Sequence, residues 1–205
     1  MFPPPASLQR LADQIDGWLD LRCPERALEL LQPLLDDPVG RPAGLCMRIR
    51  AVIRQGQYEA ALRDLVELAS NQPPNDWVEL TDAWCRRRLG DLSAAIATLE
   101  RLLQRSPRSD IGHFNLACYL ALQGSVERAI DEVTIACGLT AEFRDYLVDE
   151  PDFDNLRADE RFRMLVRQVV ADAKNAPDPE PDDDEDDDFD DDDAGGSEDR
   201  RLGLN

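Results

Sequence analysis

The chain has 205 residues, 42% of them apolar and 32% charged, enough for an ordinary domain with a real core, and carries a formal net charge of −20. That charge is uneven: residues 1–175 hold 28 acidic and 21 basic side chains, a net of −7, whereas residues 176–205 hold 15 acidic side chains against two arginines. So few clustered cations argue against direct DNA or RNA binding, and with no apolar run near the roughly eighteen residues of a membrane span and no signal-like start, a cytoplasmic location is expected.

Residues 1–6, MFPPPA, read as a disordered N-terminus. From residue 7 to residue 138 the chain repeats itself. Gly56, Gly90 and Gly124 are spaced 34 apart, and Ala61, Ala95 and Ala129 keep the same interval. Extending the register backwards reaches Arg22 and Ala27, so a first copy has lost its glycine. Leu28, Leu62, Ile96 and Ile130 follow the alanines directly, and Pro73 and Pro107 close two of the units.

Each unit reads as two antiparallel helices. In the fourth, DIGHFNLACYLALQG places Phe114, Ala117, Leu120 and Ala121 at helical spacing. Gly124 then supplies a left-handed stop and Ser125 a cap for the next helix. Helices joined by so short a turn cross closely, and an alanine at the crossing lets them seat. One hairpin cannot bury both of its apolar faces, so neighbours are expected to stack into an all-α solenoid with a concave inner surface.

Residues 139–175 do not repeat the hairpin sequence. FRDYLVDEPDFDNLRADERFRMLVRQVV gives a short amphipathic piece, a proline-containing acidic turn, and a helix whose Phe162, Leu165, Val166 and Val169 form one apolar stripe. Such a stripe can cover the open end of a solenoid, which makes this a cap. Asp149, Asp152, Asp154 and Asp159 lack the spacing of a calcium loop and read as solvated turn carboxylates. No metal site is expected.

The tail, residues 176–205, is a polyanion with almost nothing apolar to offset chain entropy, and disorder is expected. Solubility is its plain role. The sharper one is that the segment 178–193 competes for the basic part of the protein's own groove, with high salt weakening the effect.

The five cysteines, Cys23, Cys46, Cys85, Cys118 and Cys137, contain no C-x-x-C pair and read as small core residues. His113 and Cys118 lie five apart on one helix, about 140° around its axis. They therefore do not face each other as a base and nucleophile must. Gly-rich phosphate loops, G-x-S-x-G and H-E-x-x-H are missing, so neither catalysis nor a cofactor is expected.

The 34-residue hairpin with its turn glycine, small residue and closing proline resembles the tetratricopeptide repeat family over residues 7–138. DEPDFDNLRADERFRML in turn looks like the segment that ends groups of such repeats in many bacterial proteins, with Phe153, Leu156 and Phe162 as anchors into the last hairpin. Ile49 and Asp82 stand where the family usually has small or apolar residues. The resemblance implies a protein-interaction adaptor whose partner segment lies along the first helices of the hairpins. In that register the groove carries Asp13, Asp16 and Asp20, then Met47, Arg50 and Arg54. Trp77, Thr81, Trp84, Arg87 and Arg88 follow, then Asn115 and Cys118. Indole beside guanidinium suits an acidic peptide with apolar anchors.

Trp77 and Trp84 are seven apart and share a helix face; each either faces the groove or packs between hairpins, and Trp18 is expected in the core. Arg50, Arg54, Trp77, Trp84, Arg87, Arg88 and Asn115 are the candidate binding residues. Two other readings share the architecture: a dedicated secretion or assembly chaperone, and a polyanionic tail that mimics nucleic acid for a basic protein.

Overall fold

The computed structural model describes residues 2–175. The expectations placed on residues 176–205, including disorder and a contact with the groove, lie outside the described residues. Every regular element among the described residues is helical, and no described helix is long and apolar enough to cross a membrane. The chain forms two compact units, the first ending at Leu102 and the second beginning at Leu103.

In the first unit a 3-10 turn (Ala6–Leu8) leads into α1 (Gln9–Asp20), α2 (Pro24–Leu30) and α3 (Gln32–Asp36). Next come α4 (Arg41–Arg54), α5 (Tyr58–Asn71) and α6 (Asp76–Arg88), and α7 (Leu92–Arg105) runs across the division between the units. The second helix of the first hairpin is split into α2 and α3 because Pro33, in the opening turn of α3, has no N–H to continue the ladder. Packing follows the hairpins: α1 on α2, α4 on α5, with α4 also against α1, α2 and α3, and α6 on α5. At Gly44 a methyl group would meet Leu34 and Leu35 side-chain carbons at 3.1 Å, so α3 approaches α4 closely enough that any side chain there would require those leucines to give way by a few tenths of an ångström.

The second unit contains α8 (Asp110–Gln123), α9 (Val126–Leu139), α10 (Phe143–Tyr146), a 3-10 turn (Pro151–Leu156) and α11 (Glu160–Asn175). α8 packs on α9, and the 3-10 turn lies against both. Residues 139–175 do not repeat the hairpin sequence, yet they keep its spacing. α5, α7 and α9 start at residues 58, 92 and 126, and α11 starts 34 later at residue 160. α10 and the 3-10 turn occupy the place of a first helix. Pro151, exposed and without an N–H, interrupts it, which hides the hairpin from a sequence reading. Phe153, Leu156 and Phe162 are all buried. Phe153 meets Phe114 of α8 edge-on at 5.5 Å and Phe162 at 5.6 Å, and Phe143 stacks on Phe114 at 4.7 Å. Asn155 Nδ2 donates to the carbonyl of Ala121, which also accepts from the Gly124 N–H at 2.9 Å at the end of α8.

Ala27, Ala61, Ala95 and Ala129 are each 0% exposed. Gly56, Gly90 and Gly124 all take left-handed backbone, with φ of 71°, 81° and 86°. At the equivalent place in the first hairpin Arg22 takes the same conformation, φ 55°, the one non-glycine to do so among the described residues. The turn geometry is retained where its usual residue is absent. Ser125 does not cap α9 through its side chain; its hydroxyl donates to Gln123 instead, at 3.3 Å. Caps are made at α6 by Asn75, which accepts from Trp77 N–H at 2.9 Å, and at α8 by Ser109, which accepts from Gly112 N–H at 3.2 Å.

A left-handed arginine costs about 1 kcal/mol, part of which glycine returns as unfolded-chain entropy. Arg22→Gly is therefore expected to raise stability by about 0.5 kcal/mol in urea unfolding, while Gly90→Ala lowers it by about 1 kcal/mol. A drop for Arg22→Gly would contradict the turn assignment.

Candidate functional site

The positions one interval apart on the first helices are Asp16, Arg50, Trp84 and Cys118, and each has a different fate. Arg50 is buried on α4. Its guanidinium donates to Asp16 at 2.5 Å and to Asp20 at 3.4 Å, both on α1. The arginine side chain is 8% exposed, against 37% and 71% for the two aspartates. One interval of sequence separates donor and acceptor, so neighbouring first helices are tied by a charge-assisted bond. The positive charge of Arg50 is thus engaged inside the first unit. Its Nε is buried and has no hydrogen-bond partner among the described residues.

Trp84, 5% exposed, packs between hairpins rather than lying open. Its ring meets Tyr58 of α5 edge-on at 5.5 Å, and the Arg88 guanidinium stands over it at 4.8 Å. Trp77, two turns earlier, is half-buried, and its indole N–H is shielded without a hydrogen-bond partner among the described residues. Arg54, Arg87 and Arg88 are half-buried, and Met47 and Thr81 are buried. Thr81 donates back to the carbonyl of Trp77 at 2.7 Å, which holds that turn of α6 together. Trp18 is half-buried, not in the core, because Ala12, Ile15 and Leu19 take the inward face of α1.

Asp82 and Arg86 show how polar residues are accommodated on α6. Arg86 donates to both Asp82 oxygens, at 2.6 and 3.2 Å, and Thr98 of α7 donates to Asp82 at 3.1 Å. The Arg86–Asp82 hydrogen bond, with the charge of Asp82, raises the Arg86 guanidinium above its usual range. Asp82 is accommodated because each of its oxygens is met. Arg48 makes the corresponding fork to Asp64 one hairpin earlier, at 2.7 and 2.6 Å.

In the second unit the predicted groove residue Asn115 is 1% exposed, and Cys118 is buried with it. The Cys118 sulfur and carboxylate oxygens of Glu150 and Asp152 all lie within 4.8 Å of one another. Asp152 is therefore not the solvated turn carboxylate its setting suggested; the break at Pro151 turns this stretch inward, while Asp149 and Asp154 stay exposed. Glu150 accepts from the Asp152 N–H at 3.1 Å and so caps the 3-10 turn. His113 has other neighbours: its Nδ1 lies 2.6 Å from Glu132 and its Nε2 3.1 Å from the carbonyl of Pro107. Histidine and cysteine are separately engaged, as their angular spacing required.

Burial raises three thiols, Cys46 and Cys85 to about 12 and Cys137 to about 11, which suppresses the nucleophilic thiolate at neutral pH.

Removing Asp16 leaves a mostly buried guanidinium short of its nearest acceptor, whereas Asp20 is distant and solvated. Asp16→Asn is expected to cost about 1–2 kcal/mol in urea unfolding and Asp20→Asn under about 0.5 kcal/mol. Equal losses would contradict the assignment of the clamp to Asp16.

Residues 83–141 match the family model of the tetratricopeptide repeat. No curated protein sequence matches the chain. Among solved structures, the MamA RS-1 ArsTM double mutant aligns with a TM-score of 0.67 and 16% identity over 85% of this chain and 100% of its own. YrrB, described as a TPR protein with an unusual peptide-binding site, aligns with a TM-score of 0.59 and 12% identity over 81% and 91%. MamA AMB-1 aligns with a TM-score of 0.60 and 16% identity over 82% and 92%. At such identities these likenesses establish the fold, an all-helical repeat of tetratricopeptide type.

Proposed function

We propose that the protein is a non-enzymatic interaction scaffold that takes a segment of a protein partner on the first helices of its hairpins, α4 and α6 foremost. The observation that supports this most is Trp77. Buried indole N–H groups ordinarily find an acceptor within the fold. Here the N–H is shielded, the residue is only partly buried, and the chain supplies no acceptor among the described residues. A backbone carbonyl of a bound segment is the acceptor such a site lacks, and Arg54, Arg87 and Arg88 on the same two helices favour acidic side chains in that segment. YrrB, similar in fold, carries a peptide-binding site by its own description. Asp13, Asp16 and Asp20 on α1 set a negative border on this reading, with Arg50 committed to them.

The location is taken to be cytoplasmic, and the acidic segment 178–193 to act as a competing polyanion supplied in cis. Competition of this kind is electrostatic, so it fades at high salt.

The test is affinity capture from the native organism with wild-type protein, Trp77→Phe and the pair Arg87→Ala with Arg88→Ala, followed by titration of the captured partner. Trp77→Phe retains the packing and deletes the donor, and is expected to weaken binding roughly tenfold. In the same titration, deletion of residues 178–193 is expected to tighten binding at low salt only. Partner affinity unchanged by Trp77→Phe and by the arginine pair would overturn the placement of the site.

A further inference from the structure

The prolines of MFPPPA dictate the shape of the residues before them. A residue that precedes proline is confined to extended backbone, so Phe2, Pro3 and Pro4 run extended, and Pro5 follows with φ −65° and ψ 148°, the polyproline conformation. The Leu8 N–H donates to the Pro5 carbonyl at 2.9 Å, and the 3-10 turn so closed packs on α1. Residues 2–5 are thus an extended arm rooted on the first helix. Proline has no N–H, so Phe2 holds the only main-chain donor in the arm. It donates to the sulfur of Cys46 on α4.

Cys46 stands one turn before Arg50, on the same face of α4. This is the face assigned to the partner segment, yet Cys46 is 2% and Arg50 7% exposed. Phe2, Pro4 and Pro5 are half-buried and Pro3 is exposed. The arm reaches α4 as a bound peptide would, extended and with its one donor met.

We propose that residues 2–5 occupy, in cis, the α4 portion of the binding surface, and that the partner displaces them with an extended, proline-rich segment led by an aromatic residue. This rests on the reading of the first helices as the binding surface and names the chemistry that one end of it takes. The arm is suited to exchange. Polyproline backbone makes no internal hydrogen bonds and is already extended when free, so little conformational entropy opposes its docking or that of a like segment. Its hold on α4 is one hydrogen bond to sulfur, a weak acceptor, with partial burial of Phe2 and two prolines. So weak a contact persists because the short tether to α1 keeps the effective concentration on the order of millimolar. A partner that supplies the same contacts together with those at Trp77, Arg87 and Arg88 outcompetes the arm.

The experiment uses the full chain and reads the alkylation of each cysteine by iodoacetamide, resolved by mass spectrometry. Cys85 on α6, 0% exposed, is the reference for global unfolding. In wild type without urea, Cys46 is expected to react roughly tenfold faster than Cys85, because release of the arm uncovers one thiol while the helices stay folded. Phe2→Ala is expected to raise the Cys46 rate roughly tenfold again and to leave Cys85 unchanged. A synthetic peptide with the sequence of residues 1–8, in excess, is expected to restore protection to the Phe2→Ala chain where a scrambled peptide does not.

Equal rates at Cys46 and Cys85 in wild type, a Cys46 rate indifferent to Phe2→Ala, or no restoration by the peptide would overturn the docked arm. The wild-type rates decide alone if the variant fails to fold. Titration of the captured partner separates this proposal from the reading beneath it. Phe2→Ala is expected to tighten that binding several-fold. Affinity lowered by Trp77→Phe but indifferent to Phe2→Ala would sink the competition and leave the binding surface standing, whereas the alkylation results stand without any partner.

Discussion

The fold rests on the close approach of two helices at one small side chain per hairpin. Ala27, Ala61, Ala95 and Ala129 have no exposed surface, and around them the turns must reverse the chain within two or three residues. Left-handed residues at 22, 56, 90 and 124 provide that reversal. The constraint is strong enough that Arg22 accepts an unfavourable backbone conformation in the first hairpin. It extends also to the last, where α11 starts at the expected interval although the helix before it is broken at Pro151.

With the backbone held by small residues, the polar side chains distribute themselves around the interval. A strap between first and second helix recurs at Asp64, Thr98 and Glu132, made from three different chemistries at one place. Across the first helices of the first unit, Arg50 reaches back to Asp16 one full interval away, and Trp84 fills the corresponding position with Tyr58 and Arg88 about it. Inner positions thus serve packing. Trp77 stands apart, since its N–H is the one indole donor for which burial comes with no acceptor among the described residues.

The periodic parts of this structure were legible because period is what hydrophobic and steric constraints write into a sequence. Glycine and alanine at fixed spacing could be located without coordinates, as could the apolar anchors Phe153, Leu156 and Phe162. What stayed hidden depends on three-dimensional neighbours. Nothing in the string RCPERA announces a left-handed arginine, and Pro151 disguises the last hairpin by breaking its first helix. Asn115 and Asp152 read as accessible polar residues, yet the 3-10 turn folds inward beside α8 and buries them. His113 and Glu132 are 19 residues apart, and only the shared position with Asp64 and Thr98 hints that they meet. For Trp84 both placements, in the groove and between hairpins, stayed open in the sequence, because burial there is decided by Tyr58 on another helix.

The most direct test of the account compares two leucine substitutions on one helix. Ala61 and Ala69 both lie on α5, the first fully buried at the crossing and the second exposed. Urea unfolding of Ala61→Leu is expected to show a loss of about 1–3 kcal/mol, from forcing the two helices apart, while Ala69→Leu changes stability by under about 0.5 kcal/mol. Equal effects at the two positions would mean that the crossing tolerates a larger side chain and that the close approach does not govern the fold.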